Sequence, residues 1–260
     1  MIRYEQIDVS APSELGSLKI TPEGVALGGI PGWVAFVDPA YPAPDGTGFR
    51  NRALPNNFLV NSAGYSDLAF ANGEKAFASL SNAHATATPT SFDLDPSEFS
   101  FFAVLQKTQD TITTSSYVIR PVVTAGEGEV GLYVFSTSQG SVALNSNLPA
   151  PPYVYRMSLP NVLVSDGGSD AVLVMFTFST ERGLTGYVNG EEVARSEDDK
   201  RPLSPGFFEE GQFRLHQQSP NSPPLVYGSQ GFFNSDLSRP ELAASRVKLE
   251  KFFKNKYGIL

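Results

Sequence analysis

LTGYVNGEEVAR, Leu184 to Arg195, sets an Asn-Gly pair between two extended runs. A two-residue turn of that composition takes positive φ at both central positions, which lets right-twisted strands meet as a hairpin. Because the turn length fixes the register, Val188 is expected opposite Glu191, Tyr187 opposite Glu192, Gly186 opposite Val193 and Thr185 opposite Ala194. Alternation then gathers Leu184, Val188 and Val193 on one face, the one expected to point inward. Glu191 and Glu192 flank the turn and read as solvated acids rather than as ligands or catalysts.

Just upstream lies AVLVMFTF, Ala171 to Phe178, apolar on both faces. A sheet that packed only one side would leave half of this run in water, so its outer face needs a cover. The C-terminal segment SRPELAASRVKLEKFFKNKYG supplies a candidate. Ser238 and Glu241 have capping-box spacing, Pro240 stands in the first turn and Gly258 ends the run, which predicts a helix over 239–257. Leu242, Leu249, Phe253 and Tyr257 share one side of it, with Lys248, Lys251 and Lys254 broadly opposite. Between Arg239 and Lys256 six basic residues stand against two acidic ones, so the rest of a chain of net charge −8 carries −12. The basic side reads as a solvated face favoured by the helix dipole, and alternatively as a docking face for an acidic neighbouring subunit.

From about Phe58 onward FLV, LAFA, KAFASL, SEFSFFAVLQ, SYVIRPVVT and GEVGLYVFS alternate with clusters of Gly, Pro, Ser, Asp and Asn. With 23 Gly, 20 Pro and 19 Phe, that spacing predicts an all-β sandwich or jelly roll. WVAFV at 33–37 reads as a further strand, and LKITPEGVAL at 18–27 as two short strands about a turn. The stretch DPAYPAPDGTGFRNRALPNN, Asp38 to Asn57, holds four prolines and two glycines and is expected to stay outside the sheets. Residues 1–57 are therefore expected to form an N-terminal arm or docking segment, and 58–260 the folded domain with its helix.

Net charge −8 and a pI near 4.8 argue against a nucleic-acid partner, since phosphate contacts depend on clustered Lys and Arg. No apolar run reaches membrane-spanning length, and the first ten residues lack a signal-peptide pattern, so neither a membrane partner nor export is expected. The absence of Cys removes disulfide and thiolate chemistry.

Chemistry-bearing residues are sparse. Asp93, Asp95 and Glu98 in FDLDPSEF have the look of a two-carboxylate glycosidase pair, which needs oxygens roughly 5–5.5 Å apart for retention. Pro96 instead marks a turn before the next strand, so no catalytic residue is assigned. Asp166 and Asp170 in SDGGSD are weak Ca²⁺ candidates set against a solvated Gly-rich turn, and no cofactor is expected. His84 and His216 lack clustered partners. Carbohydrate recognition would use exposed aromatic platforms, for which Tyr153 and Tyr155 in PPYVYR are candidates. Trp33, Phe36, Tyr41, Phe49 and Arg50 are candidates for contact with a protein partner, Trp33 reading as a core or interface residue rather than a sugar platform.

The order of the AVLVMFTF strand, the YVNG hairpin, and Asn234, Leu237, Ser238, Glu241 and Leu242 before a helix ending KYGI resembles the concanavalin A-like, laminin-G-like jelly-roll superfamily over about residues 58–258. A "WHH" start to the apolar strand, frequent in that family, is replaced here by SDGGSDAV. The resemblance implies two stacked antiparallel sheets of roughly a dozen strands. The KYGI ending is similar to the variant found in bacterial and bacteriophage structural proteins, which implies a non-enzymatic virion component made in the host cytoplasm. A capsid decoration, head-fibre or tail-fibre subunit is then expected, homotrimeric, with other virion proteins as partners. A carbohydrate-binding module recognising surface glycans is the alternative, and a glycoside hydrolase a remote one.

Overall fold

The computed structural model describes residues 26–43, 48–53, 58–61, 65–79, 85–87, 95, 97–107, 117–121, 131–136, 140–147, 155–198, 200–202, 213–215 and 225–260. Sixteen strands run through them: β1 (Trp33–Val37), β2 (Gly48–Arg50), β3 (Phe58–Asn61), β4 (Tyr65–Ala69), β5 (Lys75–Ser79), β6 (Ala85–Ala87), β7 (Glu98–Gln106), β8 (Tyr117–Pro121), β9 (Gly131–Ser136), β10 (Val142–Asn147), β11 (Tyr155–Leu159), β12 (Ala171–Ser179), β13 (Gly183–Val188), β14 (Glu191–Ser196), β15 (Phe213–Leu215) and β16 (Tyr227–Phe233). One sheet has the order β14-β13-β12-β7-β16-β5-β4, with β1 also paired to β16, and the other β11-β10-β9-β8-β15-β6-β3-β2. All the pairings are antiparallel. The chain is an all-β, jelly-roll-like sandwich with one C-terminal helix, α1 (Ala243–Tyr257), among the described residues.

Two apolar layers follow from the alternation along the strands. Phe99, Phe101, Val172, Val174, Phe176, Phe178 and Leu184 point between the sheets, against Val134, Leu144, Leu159 and their neighbours. Phe102, Val104, Leu173, Met175 and Tyr187 point the other way, where Leu249, Phe253 and Tyr257 of α1 cover them. The cover required by the two-sided run AVLVMFTF is therefore the C-terminal helix. Each of these large side chains contributes roughly 1.5–3 kcal/mol by leaving water. The end of the helix is also tied by hydrogen bonds. The Ser229 N–H of β16 donates to the Tyr257 hydroxyl at 2.8 Å, and burial pushes that phenol well above its ordinary pKa. No helix among the described residues is long and apolar enough to cross a membrane.

The hairpin forms as expected at its turn, with φ of 51° at Asn189 and 89° at Gly190, and with Val188 opposite Glu191 and Tyr187 opposite Glu192. Beyond that a bulge intervenes, so Gly186 pairs with Ala194 rather than Val193, and Thr185 with Arg195. The extra residue, Val193, is turned out to 47 % exposure, and Ala194 takes its place against the inner core.

The helix start also differs from expectation. A single 3-10 turn, Pro240–Leu242, precedes α1, and no side-chain cap forms. Ser238 receives the Arg182 Nε–H at 3.3 Å, while the Asp236 carboxylate accepts the Ser238 N–H at 2.9 Å and the Ser179 hydroxyl at 2.7 Å. Asp236, fully buried, thus organises the turn that the capping box was expected to make. The chain leaves the helix through a left-handed Gly258, as expected.

The boundary drawn at residue 57 is not a structural one. β1 lies in one sheet beside β16 and β2 in the other beside β3. Val34, Ala35, Val37 and Phe49 belong to the inter-sheet core. The prolines that argued against a strand flank Gly48–Arg50 without interrupting it. Of 18–27 only Ala26 and Leu27 are described, and they sit in a helical turn rather than a strand.

Candidate binding site

After β1, residues 38–43 and 48–53 pair as a short two-stranded ribbon. Its pairs follow from the Ala43 N–H donating to the Gly48 carbonyl at 2.7 Å, the Arg50 N–H donating to the Tyr41 carbonyl at 3.3 Å, and a bridge between Pro42 and Phe49. Tyr41 is therefore directly opposite Arg50, and directly opposed side chains share a face. Phe49 and Asn51 point inward and are fully buried, so alternation sends Arg50 and Arg52 outward. The Arg52 guanidinium lies over the Tyr41 ring, 3.9 Å from its centroid, and 5.2 Å from that of Phe36.

Both ends of the ribbon are anchored. At one, the Asn51 side-chain carbonyl accepts the N–H groups of Phe36 (3.0 Å) and Ala53 (3.1 Å), while its amide donates to the Val34 carbonyl at 3.3 Å. The Arg52 N–H adds a bond to the Phe36 carbonyl at 2.7 Å. At the other, the Asp38 carboxylate is 1 % exposed, accepts the Ala40 N–H at 2.9 Å and is met by the Lys256 ammonium from the last turn of α1. The helix that seals the sheet therefore also pins the base of the ribbon.

The five residues read as partner contacts divide. Trp33 (7 % exposed), Phe36 (2 %) and Phe49 (0 %) are spent inside the chain. Trp33 lies 4.0 Å from the Phe233 ring centroid, Phe36 6.0 Å from that of Phe253, and Phe49 4.3 Å from that of Phe77. Such rings cannot meet a partner while the fold holds. Tyr41, at 36 %, is the one exposed aromatic among the described residues, and Arg50 is exposed beside it. Sequence reasoning missed Arg52, Asn51 and Asp38. The signal for the first two was the alternation in FRNR, which sends two arginines to the face opposite Phe49 and Asn51.

The other candidates lie apart. Tyr153 is outside the described residues, and Tyr155 opens β11 opposite Ser146. Asp166 forms an ion pair with Lys107 at 2.8 Å, and that hydrogen bond holds its carboxyl below the ordinary range. The Asp170 carboxylate accepts the Ala71 N–H at 2.8 Å and the Gln106 amide at 3.0 Å. Among the described residues no three His, Asp or Glu side chains gather as a metal-ligand set. Asp95 accepts the Ser97 N–H at 2.8 Å just before β7, Pro96 itself lying outside the described residues, and Glu98 pairs with Arg239 at 3.0 Å. Asp93, His84 and His216 fall outside the described residues.

Solved structures resemble this sandwich. The receptor-binding domain of botulinum neurotoxin mosaic serotype C/D superposes with a TM-score of 0.57 at 10 % identity, over 86 % of this chain and 51 % of that one. The fold is shared with neurotoxin receptor-binding domains. Two further examples are the botulinum neurotoxin DC binding domain in complex with SialylT (TM-score 0.54, 7 % identity, 86 % of this chain and 52 % of that one) and the same domain in complex with rat synaptotagmin II (0.56, 7 %, 86 % and 52 %). The chain thus spans about half the length of these neighbours. No family's sequence pattern matches the chain, and no curated protein does. The neighbours named are receptor-binding domains rather than enzymes or virion proteins.

Proposed function

We propose that this chain is a non-catalytic, lectin-like binding domain that recognises carbohydrate through the Tyr41 face of the ribbon formed by residues 38–43 and 48–53. The observation that carries the reading is the pairing of the exposed Tyr41 ring with Arg50 directly across a ribbon held at both ends. An aromatic ring supplies apolar area to the face of a sugar, and adjacent donors fix its hydroxyls. Anchoring reduces the ordering cost that a free loop would meet on binding. The fold neighbours, which include a domain bound to SialylT, favour this reading over the bacteriophage capsid or fibre role expected from sequence.

Of the three carboxylates with glycosidase-like spacing, Asp95 holds a local Ser97 N–H and Glu98 pairs with Arg239, which supports a binding rather than hydrolytic role. A glycan array probed with the wild type and with Tyr41→Ala tests the proposal. The wild type is expected to bind a defined subset, and the variant to bind the same glycans about tenfold or more weakly. A wild type that binds nothing, or a variant that binds equally well, sinks it.

A further inference from the structure

The sheet that carries α1 ends in β14 on one side and β4 on the other, and only the first is blunted against further pairing. β14 bears the bulge at Val193 and the charges of Glu191, Glu192 and Arg195, devices that keep an edge strand from meeting another. β4 instead pairs with β5 over its five residues, Tyr65 to Ala69, with no shift of register. Asp67, Leu68 and Ala69 are exposed, Leu68 at 40 %. The hairpin decides which backbone groups look outward. The Phe70 N–H donates to the Glu74 carbonyl at 2.9 Å, so those two residues form a hydrogen-bonded pair. Such pairs alternate along an antiparallel ladder, so Leu68 bonds to Ala76, while Asp67 and Ala69 turn their N–H and C=O groups away from β5. Among the described residues, the strand from Ser66 to Ala69 makes no hydrogen bond beyond β5.

We infer that β4 is an interface whose partner is β4 of a second copy of this chain, paired antiparallel about a two-fold axis at Leu68. That axis gives the one register in which Asp67 and Ala69 of each copy satisfy one another. Each Asp67 then stands opposite the other copy's Ala69, and each such pair exchanges both N–H···O bonds. Leu68 meets its own counterpart on the axis as a non-hydrogen-bonded pair, the arrangement in which facing side chains approach most closely, and the exposed leucine is covered. Moving the axis to Asp67 would oppose two like carboxylates, which destabilises. Moving it to Ala69 would set Asp67 against Ala71, whose N–H is already held by the Asp170 carboxylate at 2.8 Å. The strand is thus complementary to itself, as a two-fold contact requires. So short an edge makes a small interface, and the dimer is expected to be reversible.

The test is sedimentation velocity of the full chain from about 10 μM to about 0.5 mM, where the mass is expected to rise from 28.0 kDa toward twice that value. Leu68→Lys and Leu68→Glu each place like charges on the axis. Each is expected to stay monomeric with a urea midpoint close to that of the wild type, and an equimolar mixture of the two is expected to form a heterodimer. The chain has no Cys, so a single introduced thiol reports its own surroundings. Leu68→Cys is expected to give a covalent dimer on mild oxidation, whereas Ser66→Cys, on the same face but displaced from the axis, is expected to give none. A wild type that stays monomeric at every concentration overturns the inference and leaves this edge to a strand of a different protein or to none. A trimer, a dimer that persists in Leu68→Lys, or crosslinking that is equal through Ser66→Cys also overturns it.

Discussion

Replacing Lys256 with methionine removes the ammonium that meets Asp38 while keeping most of the side chain's apolar length. Asp38 is then left 1 % exposed with the Ala40 N–H as its remaining donor on the carboxylate. Breaking one partner out of a buried pair costs about 3–5 kcal/mol, because the surviving charge stays out of water. Lys256 is itself 14 % exposed, which admits some relief and places the expectation near the lower end of that range, about 3 kcal/mol. Neutralising the stranded acid should recover part of the loss, so Asp38→Asn with Lys256→Met is expected to cost less than the two single changes together, by about 1–2 kcal/mol. Trp33, the chain's single tryptophan, sits in the layer that α1 seals and reports unfolding by its fluorescence in urea. A single variant that loses less than about 1 kcal/mol, or strictly additive variants, would refute the claim that the helix pins the ribbon.

Phe253→Ala empties the centre of the helix seam, where the Phe102 and Phe36 ring centroids lie 4.7 and 6.0 Å away. A loss of about 3–5 kcal/mol is expected, with a red shift of Trp33 emission, and an unchanged urea midpoint would argue that the helix is not the cover. Glu250 offers a pH-dependent test. Burial raises its carboxyl above the usual 4.5 despite the opposing charge of Arg246. Below the unfolded value both states hold the proton. As pH rises through the window just above it, the unfolded chain ionises first, so the wild type loses stability relative to Glu250→Gln. Urea midpoints of the two proteins from about pH 4 to 7 should diverge in that direction, and a constant gap contradicts the assignment.

Much of this fold was legible because burial writes itself as periodicity. AVLVMFTF lacks a polar face, so it announced a second layer, and the Leu249, Phe253 and Tyr257 stripe identified the element that supplies it. Asn189-Gly190 fixed the turn, but a bulge leaves little trace in a sequence, and Val193 was assigned inward on a register that changes after two pairs. β16 was the hardest strand to read. YGSQGFF carries two glycines and a glutamine, yet every residue is buried. The reason is tertiary. A Cβ on Gly231 would lie 2.5 Å from Phe102 Cε1 and 2.7 Å from Trp33 Cζ3, so glycine is what lets the tryptophan close over the strand.

The site was half legible for a related reason. Tyr41 and Arg50 lie in a stretch rich in proline and glycine, which is where contacts concentrate. Trp33, Phe36 and Phe49 read the same way in sequence because aromatic residues favour interfaces and cores alike, and sequence position does not separate the two. Proline density hid β2, and with it the alternation that sends Phe49 and Asn51 inward and the two arginines outward. Asp38 and Lys256 stand 218 residues apart, and only the docking of α1 brings them together.

The most direct test of a carbohydrate-binding ribbon is residue-resolved NMR during titration with the strongest glycan from the array. Amide shifts concentrated at Tyr41, Arg50 and Arg52, and lost in Arg50→Gln, are predicted. Shifts confined to the β13–β14 hairpin or to α1, with residues 38–53 silent, would contradict it.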